Sequence, residues 1–185
     1  MIITHYREKL INAIIYFAKN TRYCGKTKLL KLLFLLDFRH FKQTGRSVTG
    51  LEYFAWEKGP VPKELFEEFD SMKADLNETI KIISHEGGFQ EIKPKKPFDD
   101  EYYSEKEKRL LEEISFMFRD AKADDMVEAT HLKNEPWHRT LKEEGAFAKI
   151  DYILAIDNMK DSLPYDEAKE RMEEILEMHR IFGTK

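Results

Sequence analysis

The run Lys28-Leu-Leu-Lys-Leu-Leu-Phe-Leu-Leu-Asp-Phe-Arg-His-Phe41 constrains this chain more than any other stretch. Leu29, Leu30, Leu32, Leu33, Phe34, Leu35 and Leu36 occupy every side of nearly two helical turns, so no face is left for water and the helix must pass through a core. Ala55-Trp-Glu-Lys-Gly-Pro-Val-Pro62 follows soon after. There Pro60 fixes its own φ and biases Gly59 away from helix, which makes a rigid aromatic and charged turn beside the core helix. Neither stretch supplies an evident catalytic group, and together they point to recognition before chemistry.

At 185 residues, with 42% hydrophobic residues, 13 Phe and only 8 Gly, the chain can bury a substantial core and fits an ordered, helix-rich protein. No segment approaches the apolar length of a membrane span, and the first residues lack the basic flank and cleavage site of a secretory signal. The lone Cys24 allows no internal disulfide and fits a reducing compartment. A cytoplasmic protein without a membrane partner is expected. Charge is uneven: residues 1–50 carry ten Lys and Arg against two acids, and the remainder 21 against 33. One reading is a basic face for nucleic acid or an acidic protein; the ordinary one is compensation between the two halves in space.

Apolar residues at Tyr6, Leu10, Ala13, Ile14 and Phe17 predict a first helix over 6–19, with Thr4 as its cap. A second runs from a cap at Thr27 to about Gln43 and stops at Gly45. Residues 47–54 read as a loop with a short helix, or as a strand. Pro62 opens a third helix over 63–75. Ile80 to Ile83 and Phe89 to Pro94, on either side of Gly87-Gly88, predict a hairpin. Ser104 with Glu107 forms a capping box for a helix reaching Phe118. A short helix lies within 120–131 and is broken at 134–138, and further helices are predicted over 145–161 and from Pro164. The fold class is therefore α+β, a predominantly helical single domain spanning 1–185 with a small antiparallel hairpin or sheet.

Several of these segments together resemble the Panacea domain, the SocA-like antitoxin family. The likeness is carried by Lys28 to Phe38, the glycine-containing stretch Thr44 to Phe54, Ala55 to Pro62, Ser104 to Leu111, Ala129-Thr-His-Leu and Pro136-Trp-His138. It spans roughly 8–140, leaving a helical part over 145–182 outside. The resemblance implies a small intracellular bacterial or phage protein that binds and neutralises an adjacent toxin protein, in one member by presenting it to a ClpXP-type protease. Carried onto this sequence, the signature is Lys28, Leu29, Lys31, Leu32, Trp56, Gly59, Pro60, Val61, His131 and Trp137. No catalytic set comes with it, and no cofactor.

The same residues have plain readings. Trp56 with Lys58, Gly59, Pro60 and Val61 can form an exposed recognition knob bordering a partner face, but an indole is usually buried, and packing of Trp56 on the leucine-rich helix is the simpler expectation. Asp37 and His40, three apart on a helix, can meet as a base pair; an ion pair of Asp37 with Lys28, Lys31 or Arg39 is the expected role. His131 and His138 with nearby acids raise the metal question, but they lack His-Glu-x-x-His spacing and a second thiolate, so no metal is assigned. The expected function is a non-enzymatic protein-binding antitoxin whose candidate partners are a cognate toxin, a ClpXP-type protease and a second copy of itself. The alternatives are a nucleic-acid-binding transcriptional regulator and a phage-associated scaffold or interaction protein.

Overall fold

The computed structural model describes residues 4–133 and 135–183. Helix α1 (Tyr6–Asn20) and helix α2 (Lys26–Thr44) form the predicted pair. Buried residues on α2 run from Lys28 to Phe41 and include Leu29, Leu30, Leu32, Leu33, Phe34, Leu36 and Phe38, so the leucine-rich run is the central helix of the fold. One side of it joins a large apolar cluster with Leu10, Ile14, Phe17, Leu65, Leu110, Leu111 and Ile114. Its other side, through Phe34 and Phe38, joins a smaller cluster with Tyr53, Trp137 and Ile150. The caps differ from expectation. His5, in the left-handed region, precedes α1 in place of Thr4, and Gly25 precedes α2 in place of Thr27. Gly45 ends α2 at φ +70, as a left-handed C-cap requires.

Residues 47–53 form a loop, which leads into strand β1 (Phe54–Trp56), paired antiparallel with β2 (Gly59–Val61) so that Trp56 faces Gly59 across a two-residue turn. The other edge of β1 is also occupied. Ala55 exchanges main-chain hydrogen bonds with Phe147 and Ala148, and Ile150 N–H donates to the Tyr53 carbonyl at 2.8 Å. Here the helix expected over 145–161 is wrong: Gly145 and Phe147 have φ of +96 and +67, the chain runs extended along β1, and only Tyr152–Ala155 make a turn of 3-10 helix. The unpaired edge of a strand offered these residues more than their helical period did.

The single helix expected over 63–75 is two, α3 (Lys63–Ser71) and α4 (Ala74–Thr79), separated at Met72 by a φ of +46. Arg7 of α1 holds both pieces, with Nη1 2.7 Å from Glu68 and Nε 2.7 Å from Asp75. Strands β3 (Ile80–Ser84) and β4 (Gln90–Pro94) form the predicted hairpin, with Gly87 and Gly88 at positive φ in the connection. Helix α5 (Glu105–Met117) begins with the predicted capping box, Ser104 N–H donating to Glu107 Oε2 at 2.7 Å. Helix α6 (Ala123–Thr130) follows. Pro136, expected to break structure, instead occupies the first turn of another helix, α7 (Pro136–Glu143), where its missing N–H costs no hydrogen bond. Helix α8 (Tyr165–Phe182) buries only Ala168 and is fastened to the body by Arg171, whose Nη1 donates to the Thr44 carbonyl at the C-terminus of α2 (2.8 Å).

The result is helical α+β with two small antiparallel sheets. Among the described residues, no helix is long and apolar enough to cross a membrane.

Candidate functional site

Two of the lysines on α2, Lys28 and Lys31, are buried. Among the described residues, neither is paired with a carboxylate. The Lys28 ammonium donates to the carbonyls of Arg22 (2.7 Å), Phe118 (2.7 Å) and Ala121 (2.6 Å), with that of Arg119 at 3.3 Å. An ammonium carries three N–H donors and no acceptor, so a cage of carbonyl oxygens satisfies it without a counter-ion. The cage joins the α1–α2 loop to the α5–α6 loop, and Arg22 N–H donating to the Arg119 carbonyl (2.8 Å) closes the same junction. Burial lowers the Lys28 pKa from its ordinary value.

One helical turn further on, Lys31 Nζ donates to the Pro60 carbonyl at 2.7 Å, and burial lowers its amine to about 7. The hairpin above it is held at two more points. Trp137 Nε1 donates to the Trp56 carbonyl at 2.9 Å, and the His131 ring stacks on Trp137 with centroids 3.7 Å apart and planes within 5°. Gly59, at φ +100, lies between the two basic groups: a Cβ there would fall 2.9 Å from His131 Nε2 and 3.0 Å from Lys31 Nζ. That Nε2 is buried, with no hydrogen-bond partner among the described residues. Burial and the nearby Lys31 charge both lower the His131 pKa, which favours the neutral imidazole.

Lys31, Trp56, Gly59, Pro60, His131 and Trp137 therefore converge on one hairpin, while Lys28 serves a separate junction. Leu29 and Leu32 are core residues, and Val61 packs at its margin. Lys58 is exposed at the hairpin turn. Trp56 is half-buried and packs against the core, with Phe66 at 5.1 Å and Phe147 at 6.1 Å between ring centroids.

Asp37 has a role that its sequence context did not disclose. Its Oδ1 accepts from the backbone N–H groups of Val48 and Thr49, both at 2.8 Å, and its Oδ2 from Thr49 Oγ1 (2.5 Å) and Tyr53 Oη (2.7 Å). The expected ion pair with Lys28, Lys31 or Arg39 does not form, because the four donors of the 48–53 loop take both carboxylate oxygens. A charged residue in the middle of an apolar run was the only signal. His40 turns elsewhere, its Nδ1 2.7 Å from the Arg46 carbonyl. Cys24 is fully buried, and burial pushes its thiol up to about 11. Among the described residues, no three His, Cys, Asp or Glu side chains converge as metal ligands would. The chemistry of these buried groups is that of fixing backbone.

The charge imbalance along the chain is offset in part by pairs. Arg7 meets Glu68 and Asp75, Lys9 meets Glu107, Arg22 meets Asp120, Lys26 meets Asp70, and Lys42 meets Asp157 and Asp161. These five basic residues are compensated by acids of the remainder, while Lys19, Lys28, Lys31, Arg39 and Arg46 meet no carboxylate among the described residues.

The family model described as antitoxin SocA-like, Panacea domain, matches residues 29–138, more than half of the chain. The chain belongs to that family. No curated protein and no solved structure matches it. The Panacea match opens inside α2 and ends in α7, so it contains Lys31, the clamped hairpin, His131 and Trp137. Lys28 stands one residue before it, and α1 and α8 lie outside the Panacea segment.

Proposed function

We propose that this protein is an antitoxin that acts by binding, without chemistry of its own, in the cytoplasm. It recognises a cognate toxin protein and neutralises it by covering the toxin's working surface. The observation that carries this reading is the family match itself. It is supported by the way the matched residues are used: Lys31 grips the Pro60 carbonyl, and Trp137, with His131 stacked on it, holds the same hairpin through the Trp56 carbonyl. A scaffold so fixed presents a preformed surface, which limits the entropy lost on association. Pairing of Arg7, Lys9, Arg22, Lys26 and Lys42 with acids leaves fewer uncompensated cations for a polyphosphate partner.

The test is co-expression of the chain with each product of the adjacent open reading frames. One of them is expected to arrest growth alone, to be tolerated with this protein, and to co-purify with it. Harmless neighbours, none of which co-purifies, would overturn the reading. Rescue that vanishes in a host lacking a ClpXP-type protease would replace occlusion by protease delivery.

A further inference from the structure

An open groove of about 970 Å³ lies between the C-terminal ends of α1 and α5 and the β3–β4 hairpin. The Lys28 cage builds its rim, since the carbonyls it holds belong to the two loops that carry Arg22, Tyr23 and Arg119. Three observations distinguish this groove from ordinary surface. Aromatic rings stand out of it: Phe116 is 84% exposed, the most of any large apolar side chain among the described residues, and Tyr23 and Phe89 are also exposed. Tyr23 holds a φ of +53, a left-handed conformation that ordinary side chains rarely adopt and that concentrates at functional segments. Ser115, itself buried, lines the groove with a hydroxyl that has no partner.

Its charges discriminate between occupants. Lys19 and Arg119 have no carboxylate within ion-pair distance among the described residues, and neither Glu86 nor Glu112 has a cation. Charges of both signs around exposed rings suit a polypeptide, which brings both signs and apolar side chains, better than a uniformly anionic nucleic acid.

We infer that this groove is where the protein grips an extended segment of its protein partner, one with an aromatic or long aliphatic side chain between a carboxylate and an amine. The apolar side chain lies among Tyr23, Phe89 and Phe116, its carboxylate neighbour meets Lys19 and Arg119, and its amine neighbour meets Glu86 and Glu112. This assignment rests on the antitoxin reading for the identity of the partner, but the groove can be tested without it.

The full chain is panned against a random peptide display library, with single-stranded polythymidine as a competing probe. Enriched peptides should carry the apolar residue with flanking charges, and Phe116→Glu and Arg119→Glu should each weaken them about tenfold or more, the scale of an interface hot spot. Ile181→Glu, an exposed apolar position outside the groove, should leave binding unchanged. No enriched peptide, equal binding by the groove variants, or binding of polythymidine in place of peptide overturns the assignment. Thermal unfolding checks each variant, and Phe116→Ser with Arg119→Gln decides if the glutamate variants fail to fold. In the co-expression assay, rescue by wild type and groove variants alike removes the groove while the antitoxin reading stands. Absence of any toxic neighbour removes that reading and leaves peptide binding to decide the groove.

Discussion

The side-chain nitrogen of Lys28 lies 2.6 Å from the carbonyl oxygen of Ala121, 93 positions further along the chain. A single ammonium on the central helix thereby fixes a loop from the other half of the sequence.

Lys28→Met removes every donor from that cage, so the part-buried carbonyls of Arg22 and Ala121 lose the ammonium that they hold. The expected cost is about 3 kcal/mol or more of unfolding free energy, read as a lower urea midpoint. Lys28→Arg should recover little, because a planar guanidinium cannot converge on the same oxygens. A Met variant as stable as wild type would show that the cage is dispensable.

Gly59→Ala tests the hairpin clamp. The new methyl group meets Lys31 Nζ and His131 Nε2 at about 3 Å, at a φ of +100 that a side chain disfavours. We expect a loss of about 2 kcal/mol, with a changed near-ultraviolet signal as the His131–Trp137 stack is displaced. An unchanged spectrum and midpoint would refute this.

Lys31 makes stability depend on pH in a defined direction. Burial lowers its amine from 10.5 to about 7 in the folded protein. Between those values the unfolded chain binds a proton that the folded chain has released, so raising the pH favours folding. The contribution is fully present above the unfolded value of 10.5 and is lost as pH falls through about 7. Urea midpoints measured across this window should climb for wild type and climb less for Lys31→Met. Lys28, also lowered by burial, contributes to both proteins and cancels in the difference. Parallel curves would sink the prediction.

Asp37→Asn should destabilise by about 2 kcal/mol, since a neutral amide replaces a carboxylate that accepts four hydrogen bonds and forces the Thr49 and Tyr53 hydroxyls to turn from donors into acceptors. Hydrogen exchange at Val48 and Thr49 should rise more than elsewhere. Uniform acceleration over the whole protein would instead mean that the loop has no separate anchor.

What could be read in the sequence was local. The all-round apolarity of 28–41, the capping box at Ser104 and Glu107, and the Gly-Gly hairpin are each specified by residues within a few positions, and each is present in the fold. The errors arose where distant partners decide. Residues 147–150 complete an edge of β1, a service that no helical period can announce. The break between α3 and α4 is bridged by Arg7, more than sixty residues away in the case of Asp75. At the candidate site, the signature residues were identifiable through family resemblance, but not what they touch: a lysine bonded to carbonyls leaves no complementary acid in the sequence to find.

The Lys28 cage also separates what the fold requires from what it leaves open. Its four acceptors are main-chain oxygens of Arg22, Phe118, Arg119 and Ala121, and a carbonyl is present whichever side chain its residue bears. Replacing any of those side chains leaves the ammonium its oxygens. The loops it ties down can therefore diverge in sequence, lineage by lineage, and acquire new specificities while the frame beneath them stays the same.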